Sequence, residues 1–105
     1  GGIRLDEPAI DLGIIVSLAS NYLDIAVDSD TVVLGEVGLA GEVRGINQFE
    51  PRVKDASKLG FKRCILPRDN LKGPGIKAGP MTLVGVASVK EAIDCLFERP
   101  AKASK

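Results

Sequence analysis

The chain of 105 residues carries 14 basic and 14 acidic side chains and no histidine, so its formal net charge is zero. That length supports one domain with one modest core. No apolar run reaches the roughly 18 residues that a membrane-spanning helix needs. No basic-then-apolar leader with a small-residue cleavage site opens the sequence, so a soluble, cytoplasmic domain is expected. The missing histidine rules out Ser-His-Asp and Cys-His catalysis. Cys64 and Cys95 form no CxxC pair and lack partners for a zinc set, and they read as buried, reduced thiols. No cofactor and no metal site is expected.

In chain order, Asp6 can cap a helix whose first turn holds Glu7 and Pro8, where a missing N–H costs nothing. The pattern predicts a helix over 7–22. Its apolar residues, Ile10, Leu12, Ile14, Ile15, Val16 and Leu18 among them, go round most of the circumference, as in a central core helix buried on nearly all sides. Within that run Asp11 needs a donor if buried. A β-branched strand begins at Thr31–Leu34, and Ala40-Gly41 invites a tight turn into a second strand over 42–46, giving a hairpin.

Pro51 then opens a helix predicted over 51–59. Its inner face carries Val53, Ala56 and Leu59, and Gly60 ends it in the left-handed conformation. Short strands follow over 62–66 and 81–87. Between them the Gly/Pro-rich stretch 68–80 reads as a surface loop. Ser88-Val89-Lys90-Glu91 is a capping box for a last helix whose inner face is Ala92, Ile93, Leu96 and Phe97. The tail at 100–105 is expected to be disordered. Strands alternating with helices around one core make this an α/β layered domain.

Charge is unevenly distributed. Residues 1–50 hold nine acidic side chains against two basic ones, whereas residues 51–72 hold seven basic against two acidic. The basic set is Arg52, Lys54, Lys58, Lys62, Arg63, Arg68 and Lys72. Lys54 and Lys58 lie one helical turn apart and share a face. Either simple solvation or a polyanion-facing patch accounts for such a run. With only Tyr22, Phe49, Phe61 and Phe97 as aromatics, most of them expected inside, contact with nucleic acid would be to phosphate rather than by base stacking. Phosphate-cradling nucleotide motifs are absent, since Gly35, Gly38 and Gly41 are spaced G-x-x-G-x-x-G.

The stretch Gly35-Glu36-Val37-Gly38-Leu39-Ala40-Gly41-Glu42-Val43-Arg44, the following Pro-started helix and Cys64-Ile65-Leu66-Pro67-Arg68-Asp69-Asn70 together resemble the Lon-type serine-lysine peptidases. The similarity is strongest to the Lon-like domain at the C-terminal end of a family of bacterial DNA-repair ATPases. It covers 1–99 and implies a ribosomal-protein-S5-domain-2-like fold. The family's domain begins earlier than Gly1, so this fold is expected to be truncated at its N-terminus, with a sheet edge left open.

The family's peptidase motifs are degenerate here. Ala9 stands where the serine nucleophile belongs, in Glu7-Pro8-Ala9-Ile10-Asp11, and a methyl group has no lone pair to attack a carbonyl. Glu50 stands where the lysine base belongs. A new dyad of Ser17 or Ser57 with a lysine is the weaker alternative, helical serines being usually structural, and Cys64 in its strand reads as core rather than nucleophile. The expectation is therefore not an enzyme.

The resemblance also implies an oligomerisation scaffold, a hexamer, that contacts DNA in homologous recombination and branch migration. ATPase chemistry and partnership with a RecA recombinase would belong to the full-length protein. It singles out Arg4 and Arg44 as DNA contacts, beside Arg52, Lys54 and Lys58 from the basic run, although an isolated arginine can equally be an ion-pair partner. The alternative is an assembly or protein-interaction scaffold without direct DNA contact.

Overall fold

A single strand explains how the domain is layered. In Arg63–Pro67 (β5), Cys64 and Leu66 point to one side and Ile65 to the other, the two-residue period of a strand buried on both faces. The computed structural model describes residues 9–72 and 79–97, and β5 is the middle of a parallel three-stranded sheet. Thr31–Val33 (β2) flanks it in register Val32 to Cys64, and Thr82–Val86 (β6) in register Cys64 to Leu83. On one face Cys64, Leu66, Leu34 and Met81 pack with Val53 and Ala56 of the helix Phe49–Lys58 (α2). On the other, Ile65 and Val86 pack with Leu12 and Val16 of the helix Leu12–Leu23 (α1) and with Ala92 and Phe97 of the helix Val89–Phe97 (α3). This is a small α/β domain with two cores divided by one sheet.

A second, antiparallel sheet joins Ile10–Asp11 (β1), Glu36–Val37 (β3) and Val43–Arg44 (β4) in the order β1-β3-β4. Its far side is tied to the β6–α3 joint, where Val43 N–H donates to Ala87 O at 2.9 Å and Val89 N–H to Gly41 O at 2.9 Å. At the hairpin tip Gly41 takes φ 83°, a left-handed value that glycine adopts without penalty.

Several expectations are corrected. The first helix does not start near Glu7: Ile10 and Asp11 are drawn into sheet pairing with Val37 and Glu36. The cap is Asp11, whose carboxylate accepts from Gly13 N–H at 2.7 Å; Asp6 lies outside the described residues. Asp11 is thus an exposed cap and not a buried helical carboxylate. Nor is α1 buried all round, because the described elements cover one side of it only. Ile14 is 56% exposed, Leu18 63% and Tyr22 88%.

The strand at Thr31 does not enter the hairpin. The chain changes sheets at Gly35 (φ 145°), so the hairpin arms are the short pairs 36–37 and 43–44. The second helix begins at Phe49, two residues before Pro51, which the first turn tolerates because its N–H groups need no intrahelical partner. Gly60 ends it at φ 97°. Part of the expected loop is ordered as a 3-10 helix, Arg68–Leu71; residues 73–78 and the tail lie outside the described residues.

Other expectations agree with the structure. Glu91 N–H donates to Ser88 Oγ at 3.1 Å, closing the capping box. Ala92 and Phe97 are buried, with Ile93 and Leu96 packed beside them.

Candidate nucleic-acid interface

The buried side of α2 is set by Val53 and Ala56. At about 100° per residue, Lys54 and Lys58 fall on the opposite, solvent side, one turn apart. Both are exposed. Arg52 is exposed too, but it sits on the flank of the helix towards β5. Burial pushes the Cys64 thiol up to about 11, and the Arg52 guanidinium pulls weakly the other way. Cys64 is therefore a protonated core thiol, far from the thiolate that nucleophilic attack needs.

Arg44 is held differently. Its Nε and one terminal nitrogen donate to a single Glu42 carboxylate oxygen at 3.1 and 3.0 Å, and the other Glu42 oxygen accepts from Ala40 N–H at 3.1 Å. The pair folds directly over Gly38, where a Cβ would meet both side chains. Backbone donation and Arg44 hold the Glu42 carboxyl below the usual range. Arg44 is thus an ion-pair partner in this structure, and phosphate would have to compete with Glu42 for it. Arg4 lies outside the described residues.

Three further cations of the basic run are engaged with neighbours, and Lys62 is exposed. Arg68 donates to Glu91 Oε1 at 2.8 Å, and the same oxygen accepts from Ala87 N–H at 2.7 Å. Lys72 pairs with Asp69 at 3.2 Å. Arg63 Nε donates to Thr31 Oγ1 at 3.3 Å. Of the sequence-predicted set, the structure brings Lys54 and Lys58 together on one outward face, with Arg52 beside them; Arg44 belongs to the hairpin. Ala9 and Glu50, where the resemblance places nucleophile and base, are both at the surface. Among the described residues no cluster of His, Cys, Asp and Glu side chains could hold a metal ion, and no helix is long and apolar enough to cross a membrane.

Asn70 was missed by the sequence reading. Its side-chain oxygen accepts from Ile46 N–H at 2.9 Å and its side-chain nitrogen donates to Ile46 O at 3.0 Å. A neutral amide after a strand carries no spacing signal that would have revealed this.

Comparison with known proteins adds to the geometry. A family model described as Subunit ChlI of Mg-chelatase matches residues 1–70. Similar curated proteins include DNA repair protein RadA of Halalkalibacterium halodurans, 48% identical over 94% of this chain and 21% of that protein. RadA of Bacillus subtilis is 50% identical over 89% of the chain and 20% of its own length. RadA of Streptococcus pneumoniae is 38% identical over 92% and 23% respectively. The chain therefore spans about a fifth of the length of these relatives. It belongs to the family described as Subunit ChlI of Mg-chelatase, and its curated homologues at 40–50% identity are named DNA repair protein RadA.

Proposed function

We propose that this chain is a catalytically silent Lon-like module of a cytoplasmic DNA-repair protein, and that it helps to build an oligomeric ring and presents basic side chains to DNA phosphates. The observation that carries the DNA part is the pair Lys54 and Lys58, exposed together on the outer face of α2, in a chain whose homologues are named for DNA repair. The S5-like fold is supported by the positions of the family-like stretches: one forms the β3–β4 hairpin, the other β5 and its 3-10 helix.

Silence towards peptides follows from chemistry. Ala9 offers no nucleophile, and a carboxylate at Glu50 cannot act as the neutral amine base of a Ser-Lys dyad. ATP hydrolysis and any dealing with a RecA recombinase belong to parts of the full-length protein beyond these residues. Because a neutral domain binds polyanions weakly, ring formation would supply the affinity by presenting several copies at once.

The competing reading, a scaffold without DNA contact, draws support from the charge-free helix α1 and its exposed Ile14, Leu18 and Tyr22. One experiment separates the two readings. In the full-length protein, Lys54→Ala with Lys58→Ala should leave the assembly intact by sedimentation while weakening duplex or single-stranded DNA binding about tenfold. Intact assembly with unchanged affinity favours the scaffold. Turnover of an unfolded substrate that is lost on substitution of Ser17 or Ser57 would contradict catalytic silence.

A further inference from the structure

Helix α1 is apolar on two sides. At about 100° per residue, Leu12 and Val16 face the sheet and are buried, while Ile14, Ser17, Leu18 and Asn21 turn away from it and are exposed, with Tyr22 at their edge. No residue of Leu12–Leu23 is charged. The other two helices meet water differently: α2 exposes Lys54, Asp55 and Lys58, and α3 exposes Lys90, Glu91 and Asp94. A helix that is apolar round most of its circumference, with no charge to solvate, is suited to burial on both sides.

The size of the outer face says what kind of cover fits it. Ile14, Leu18 and Tyr22 are 56%, 63% and 88% exposed, and side chains so exposed offer together on the order of 400–500 Å². A stable pairing of separate molecules needs about 800 Å² from each partner, because association must offset the freedom that two bodies lose. A segment of the same polypeptide is already held at high effective concentration, so a smaller patch suffices for it. Chain to supply it is plentiful in the relatives, of whose length the matched region is about a fifth.

We infer that the outer face of α1 is an internal seat: in the full-length protein a segment from outside these 105 residues lays an apolar side over Ile14, Leu18 and Tyr22. The seat accepts an apolar segment and rejects a charged one, since α1 has no side chain that could neutralise a buried charge. The inference is independent of DNA contact, and it takes α1 away from any separate partner.

The test is maleimide labelling of the full-length Ser17→Cys protein, read as the mass of the peptide that carries residue 17. Labelling should be at least about tenfold slower than in the urea-unfolded protein, because it waits for local opening. It should stay slow on dilution to concentrations at which sedimentation shows single chains. Protection that disappears as the assembly dissociates would give the face to a second copy and overturn the inference. Labelling close to the unfolded rate at every concentration overturns it as well, leaving the face bare. Asn21→Cys, on the same face one turn further on, gives the same readout if Ser17→Cys does not fold.

Discussion

Helices α1 and α2 lie on opposite faces of the same sheet, and their exposed sides could hardly differ more. In α2 the apolar residues point inward and the outward side carries Lys54, Asp55 and Lys58. In α1 no residue of Leu12–Leu23 is charged, and three large side chains stand in solvent at four-residue spacing. Hydrophobic periodicity tells which surface favours burial; whether these residues supply the cover is a separate matter. For α2 they do, and for α1 they supply half of it.

The comparison can be sharpened by substitution in the 105-residue chain, followed by urea unfolding. Leu12→Ala removes a side chain that is fully buried on the inner side of α1 and should cost about 2–5 kcal/mol. Gly85→Ala presses a methyl group against the Leu71 side chain and the Arg68 backbone of the 3-10 helix and should cost about 1–3 kcal/mol. Ser88→Ala unmakes the α3 cap and should cost about 1 kcal/mol. Leu18→Ser, on the outer side of α1, should change stability by no more than about 0.5 kcal/mol. A cost for Leu18→Ser as large as that for Leu12→Ala would break the contrast and mean that the outer face is covered in solution.

The smallest expected effect is on pH dependence. Backbone N–H groups and arginines lower the carboxyls of Glu42 and Glu91. A carboxyl lowered in the folded state contributes stability that is fully present above its unfolded value and lost as pH falls through the folded one. Unfolding followed between about pH 6 and pH 3 should therefore show a shallow loss on the acid side, screened by salt because both groups are at the surface. Gly38→Ala, by displacing the Glu42–Arg44 pair, should flatten the Glu42 part of it.

Much of this was legible in the sequence where one local rule acted alone. The Ser88–Glu91 box, the Gly60 terminator, the inward Val53 and Ala56 of α2 and the inner face of α3 depend on residues within a few positions of each other, so spacing reveals them. Leu59, expected inside with Val53 and Ala56, is instead the C-terminal cap residue of α2 and is 76% exposed. Failures came where distant strands competed with local preference. Asp6 and Pro8 make a plausible helix start, yet pairing of Ile10–Asp11 with Glu36–Val37 moves the start to Leu12. Thr31–Leu34 has the composition of a hairpin arm, but it finds a parallel partner in β5. At the candidate site, the shared face of Lys54 and Lys58 could be read from a four-residue spacing. The commitment of Arg44 to Glu42 and the grip of Asn70 on Ile46 could not, since each depends on a side-chain direction that only the folded backbone fixes.

The most direct test of the account is the salt dependence of duplex binding by the full-length protein, with and without Lys54→Ala and Lys58→Ala. Each lysine that neutralises a phosphate adds about one unit to the slope of log affinity against log salt. The account predicts a line shallower by about two units for the double variant. Parallel lines for the two proteins would contradict it.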